Sequence, residues 1–200
     1  VESTRHFNAG MPERRAAAII RLADLRVRQS RLEEAATLLE RLDHHPDAVR
    51  ALAGLHLARG ETARARDLLE RNTRASDDEV PIVGETTMIG PLLALLVDVL
   101  LEEGDVHGAA HVSERLGRIA QGQRGDYLRG AAALAKGRVC LAAGEGDARS
   151  YFQDAIKGFA RSQLPMELAR AHLEMARALA SSTPEPPWER RERHFRSLNA

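Results

Sequence analysis

The chain has 200 residues, enough to bury roughly 70% of its unfolded surface as one large domain or two small ones. Hydrophobic residues make up 44% of it but aromatics only 4%, which leaves the core to Ala, Leu, Val and Ile and, with Arg and Glu abundant, points to an all-α protein. Lys plus Arg and Asp plus Glu balance at 29 each, so the broad positive field of a dedicated nucleic-acid-binding domain is missing, and a lone cysteine, Cys140, excludes an intrachain disulfide and fits a reducing compartment.

The opening stretch VESTRHFNAG has no apolar signal core, and residues 1–10 read as a flexible N-terminus ahead of a single domain over 11–200. From there the chain alternates two kinds of helical pattern. AAAIIRLADLRVRQ leads to SRLEEAATLLERL from Ser30, and DAVRALAGLHLAR leads to GETARARDLLERN from Gly60. After a long loop near 73–88, marked by an acidic run with Pro81, Gly84 and Gly90, PLLALLVDVLLEE leads to GDVHGAAHVSERL from Gly104. GAAALAKGRVCLAA then leads to GEGDARSYFQDAI from Gly144. Each second pattern opens on a small turn residue and a polar first turn, a helix start written four times. The most apolar run, residues 91–101, is about half a membrane span and contains Asp98; a cytoplasmic protein without membrane contact is expected. Cys140, inside such an apolar run, reads as an inert buried thiol.

Small residues recur at fixed offsets from the turns. Ala23, Ala53 and Gly137 fall seven before, and Ala35, Ala65 and Ala109 five after, where paired helices touch most closely and large side chains would push them apart. Val97 breaks the pattern in the third pair, which predicts a wider contact there. A fifth helix starts at Pro165, with an apolar stripe through Leu168, Ala171, Met175 and Leu179. Beyond a linker at 181–186, Trp188, Phe195 and Leu198 share one side of a final helix; these three are expected to cap that stripe and close the array.

Paired helices joined by short turns and repeated along a chain are the mark of a helical solenoid. The spacing of small residues resembles the tetratricopeptide repeat, a unit of about 34 residues, although the turns at 30, 60, 104 and 144 are unevenly spaced and aliphatic residues replace the aromatics. The resemblance implies a right-handed α-solenoid of about five antiparallel pairs. The run LAKGRVCLAAGEGDARSYFQDAIKGFARSQLPMELARAHLEMARALA, with the later FRSLNA, is similar to the C-terminal helical-repeat region of large LuxR-type transcription regulators. That region receives an effector, a small molecule or a protein, between an ATPase module and a helix-turn-helix. No G-x-x-x-x-G-K-[ST] phosphate loop occurs here, so no ATPase is expected; with no further helical pattern after Ala200 in the sequence, no DNA-binding domain is expected either.

His107 and His111 stand four apart but lack a third ligand nearby, and His44 and His45 flank a turn at Pro46; all four read as surface residues. The adjacent acids Glu33/Glu34, Asp77/Asp78 and Glu102/Glu103 do not face one another on a helix and read as solvated. No nucleophile elbow, dinucleotide loop or Cys-x-x-Cys is present; no enzyme, metal or cofactor is expected. Counting from the small packing residues, Asp24, Arg28, Arg50, Asp98 and Arg138 should point into the concave face lined by the first-type helices. The expected function is therefore a non-catalytic sensor or interaction module that binds a protein partner or a small-molecule effector there, with room for a homodimer. The alternatives are a decoy that pairs with and inhibits a full-length regulator, and direct nucleic-acid binding through Arg190, Arg191, Arg193 and Arg196, which Glu189 and Glu192 partly offset.

Overall fold

The computed structural model describes residues 2–74, 83–122 and 125–181, and these form helices and connections only. In chain order they are α1 (Glu2–Arg28), α2 (Leu32–Leu39), α3 (Val49–Ala58, entered through a short 3₁₀ turn at Pro46–Ala48), α4 (Thr62–Thr73), α5 (Val83–Glu102), α6 (Val106–Gly122), α7 (Asp126–Ala143), α8 (Ala148–Arg161) and α9 (Pro165–Ser181). No helix among the described residues is long and apolar enough to cross a membrane.

The four turns marked in the sequence share one backbone solution. Ser30, Gly60, Gly104 and Gly144 all adopt positive φ, at 58°, 75°, 77° and 68°. At each, the next N–H bonds to the carbonyl five residues back: Arg31 to Arg26, Glu61 to His56, Asp105 to Leu100 and Glu145 to Cys140, at 2.8–3.1 Å. The turn residue itself bonds three back, completing the Schellman arrangement that satisfies the last carbonyls of a helix. Gln163, at 54°, repeats it between α8 and α9, with Leu164 N–H on the Phe159 carbonyl. Two of the following helices are then capped by an aspartate: Asp105 accepts from the Gly108 N–H at 2.8 Å and Asp147 from the Ser150 N–H at 3.2 Å.

Consecutive helices pack on each other, and each odd-numbered helix also touches the next odd one, α1 to α3, α3 to α5, α5 to α7 and α7 to α9. The predicted close contacts are real. Ala23, Ala35, Ala53, Ala65 and Ala109 are wholly buried, and a Cβ added at Gly137 would lie 2.6 Å from the Phe152 ring. Val97, at the small-residue place of the third pair, is equally buried in the cluster that holds Ala109. Helix α5 is apolar nearly all round because α3, α4, α6 and α7 surround it.

Four expectations need correction. Helix α1 already runs through the stretch expected to be a flexible N-terminus. Helix α5 starts at Val83 and carries Gly84, Gly90 and Pro91 within it, so the break after α4 is shorter than expected. Gly90 is tolerated because Leu128 of α7 occupies the space a side chain would need, with a Cβ falling 2.4 Å from its Cδ2, and burial of Leu93, Leu96, Val97 and Leu100 offsets the roughly 3 kcal/mol an internal proline costs. Cys140 is half-buried rather than enclosed, because it sits one turn from the end of α7, beside Gly146. In α9, Leu168, Ala171 and Met175 already pack on the α7–α8 core, and the apolar residues left exposed are Met166, Leu173 and Leu179. The expected linker at 181–186 and cap of Trp188, Phe195 and Leu198 lie outside the described residues.

The turns make a direct prediction. A Cβ at Gly104 would meet nothing within 4 Å, so Gly104→Ala should cost only the left-handed backbone penalty, about 1 kcal/mol, whereas Ser30→Gly should relieve the same penalty and raise stability by up to that amount. Urea denaturation should show midpoints moving in opposite directions with unchanged slope.

Candidate functional site

The odd-numbered helices line a half-open cavity of about 450 Å³. Its wall takes Asp24, Val27 and Arg28 from α1, Arg50, Gly54, Leu57 and Ala58 from α3, Pro91, Ala94, Leu95 and Asp98 from α5, Tyr127, Ala131, Leu134 and Ala135 from α7, and Met166, Glu167 and Arg170 from α9, with Phe159 of α8 behind. Within each helix these residues recur at three- and four-residue spacing, one face of an α-helix. The cavity meets α1 in its last turns, α5 near the middle, α7 in its first half and α9 in its first turn. Its axis therefore crosses the helices obliquely.

That obliquity sorts the residues expected to face a ligand. Asp24, Arg28, Arg50 and Asp98 are in the wall. Arg138 is not: it has the same offset from Gly137 that Asp98 has from Val97, but the cavity has by then moved toward the start of α7, and Arg138 instead backs Asp98 as its ion-pair partner. Tyr127, Glu167 and Arg170 were not foreseen. The two α9 residues lie just ahead of Ala171, whose complete burial marks it as a packing residue of the kind used for counting in the earlier helices.

Two charge networks border the apolar middle. In the first, Asp24 accepts from Arg28 Nε at 3.1 Å and from Arg50 Nη1 at 3.2 Å, and Arg28 Nη1 reaches Glu167 Oε1 at 3.1 Å. Arg28 and Glu167 are 139 residues apart, so a side-chain ion pair links the first and last described helices across the cavity. In the second, Asp98 pairs with both Arg138 and Arg170; Arg138 Nε also lies 3.6 Å from Glu174 Oε1, which accepts from Arg177 Nη1 at 2.9 Å. Burial alone would lower the pKa of Arg28 and Arg170, but the facing carboxylates outweigh it and both end up raised, which keeps the charges in place. Desolvation of the Tyr127 hydroxyl raises its pKa, so the phenol stays protonated and can donate or accept.

The other polar candidates have local roles. His107, His111 and His44 are exposed, and His45 Nδ1 accepts from the Asp47 N–H at 3.2 Å. Among the described residues no three His, Cys, Asp or Glu side chains gather as a metal site. Glu33, Glu34 and Glu103, expected to be solvated, also pair between elements, Glu33 to Arg59 at 2.7 Å, Glu34 to Arg26 at 3.2 Å and Glu103 to Arg66 at 3.0 Å, and Glu33 remains exposed to solvent. Asp77, Asp78, Arg190, Arg191, Arg193 and Arg196 lie outside the described residues. Comparison with protein-family models, with curated proteins and with solved structures finds no match.

The Asp98 carboxylate is largely buried between two guanidiniums, and removing it takes away the ion-pair partner of Arg170 and leaves Arg138 only its 3.6 Å contact with Glu174. Asp98→Ala should cost roughly 3 kcal/mol, while Asp67→Ala, which deletes the exposed Arg71 pair, should cost at most about 0.5 kcal/mol. Chemical denaturation of the two variants checks the contrast.

Proposed function

We propose that the chain is a non-catalytic, tetratricopeptide-like α-solenoid that binds a small, polar effector in the cavity of its odd-numbered helices and reports occupancy to a protein partner. Alternating helix contacts and five repeated left-handed turns support the solenoid reading. One observation carries the choice of a small molecule over a peptide. The Arg28–Glu167 pair joins the two ends of the described array, and the half-open cavity of about 450 Å³ falls in the usual range for small ligands, about 300–1,000 Å³.

The wall favours a particular chemistry. Arg28, Arg50 and Arg170 are balanced by Asp24, Asp98 and Glu167 around Val27, Leu57, Leu95 and Leu134, so a strongly charged ligand would leave like charges facing it. A compact molecule with an apolar body and both donor and acceptor groups fits. The similarity to LuxR-type regulators supplies the setting, in which a repeat region couples effector binding to control of transcription.

Thermal-shift screening against a metabolite library, followed by calorimetry, tests the proposal. The expected result is a small neutral or zwitterionic binder whose affinity falls about tenfold in Arg50→Ala, since Arg50 lines the wall and is held by Asp24 alone among the described carboxylates. Binders indifferent to Arg50→Ala, or a chain that binds peptides across this face and no small molecule, would contradict it.

A further inference from the structure

A second concavity, of about 1,130 Å³, lies between α6 and α8 with α7 as its floor. The floor residues Arg129, Ala132, Ala133 and Lys136 are on the opposite side of α7 from Tyr127, Ala131, Leu134 and Ala135, which face the first cavity; at 3.6 residues per turn the two sets point about half a turn apart. The groove is therefore separate from the proposed effector site.

Its origin is visible in the sequence. Eight residues after the position preceding each even-numbered helix, α2 has Leu39 and α4 has Leu69, both wholly buried. At that place α6 has Ser113. Together with Gly117 one turn on and the two floor alanines, it leaves a gap where the earlier pairs have leucine. Ser113 is only 2% exposed, and its Oγ has no hydrogen-bond partner among the described residues. A buried hydroxyl without a partner at a groove wall is costly unless something completes it.

The rim is electrostatically incomplete as well. It carries five cations, Arg118, Arg129, Lys136, Lys157 and Arg161, against three acids, Glu114, Asp126 and Asp154. Arg129 and Arg161 share the single Asp126 carboxylate, at 2.7 and 3.2 Å, whose pKa is lowered chiefly by the Arg129 hydrogen bond. Arg118 is exposed and has no ion-pair partner among the described residues. This surplus contrasts with the balanced first cavity, in a chain of zero net charge.

We propose that the groove between α6 and α8 docks a short acidic peptide segment of a partner protein, whose carboxylates meet Arg118 and the Arg129–Arg161 pair while its backbone lies over the small residues of the floor. The α8 side from Tyr151 to Arg161 spans about 15 Å at the helical rise, room for four or five extended residues. Carboxylates suit the site because two guanidiniums sharing one acid retain donors for another. The segment supplies the second half of the sensor reading, a protein contact, at a site distinct from the effector cavity.

Selection of a random peptide library on the immobilised chain, followed by fluorescence anisotropy of the enriched peptides, tests this. The enriched sequences should carry at least two Asp or Glu within five residues, lose at least tenfold in affinity against Arg118→Glu, weaken with added salt, and bind Arg50→Ala as they bind the native chain. Arg118 has no ion-pair partner among the described residues, so its reversal should leave the circular dichroism unchanged; Arg161→Ala provides a second variant with the same expected direction. Enriched peptides without acidic excess, affinity unaffected by both variants, or binding of inorganic pyrophosphate to the groove with no peptide enriched would overturn the proposal. Loss of peptide binding in Arg50→Ala would assign the peptide to the first cavity and overturn it too. Because the effector screen uses other probes, either result can fail alone.

Discussion

A leucine- and alanine-rich helix has no internal reason to stop, and in this chain each tight turn is imposed by one residue forced into the left-handed region. Ser30, Gly60, Gly104, Gly144 and Gln163 occupy it, and each time the carbonyl five residues back receives the N–H that follows. The geometry fixes how the chain leaves one helix and enters the next, and so decides which faces meet. Only then do the small residues matter: Ala23 and Ala35, Ala53 and Ala65, and Gly137 beside Phe152 allow the close approach that the turn sets up.

The close packing of aliphatic helices leaves little polar surface inside, and the charges that do enter are concentrated where the odd-numbered helices converge. Asp24 and Asp98 each serve two arginines on other turns or other helices. Such networks tie elements together with directional bonds that nonspecific aliphatic packing lacks, at a desolvation cost. The same networks give the cavity its neutral, two-signed rim. The α6–α8 groove differs in cause and in charge: it follows from the loss of leucine at Ser113 and retains unmatched cations.

Local requirements were legible in the sequence, and relations between distant segments were not. Gly60, Gly104 and Gly144 announce their turns because glycine is the cheapest residue at positive φ, and the same register extended correctly to Ser30. Gln163 escaped because nothing in its side chain advertises that conformation. Asp24, Arg28, Arg50 and Asp98 could be found by counting from buried alanines and Val97, since one helix face is a local property. Arg138 lies outside the wall because counting assumes the cavity meets every helix at the same height, whereas it meets α1 in its last turns and α7 and α9 near their starts. The helix through Gly90 and Pro91 contradicts local propensity because burial of Leu93, Leu96, Val97 and Leu100 outweighs it.

Convergence of the two ends, expressed in the Arg28–Glu167 pair, is the relation on which the cavity depends and the one least visible in sequence. Paramagnetic labels on cysteines introduced at Gln29 and Met166, in a Cys140→Ser background, would measure it by pulsed electron spin resonance. A closed arrangement predicts a single narrow distance near about 20 Å, two helix spacings at most. An extended array, with α1 and α9 separated by four interaxial spacings, would give about 40 Å and would contradict the closed cavity.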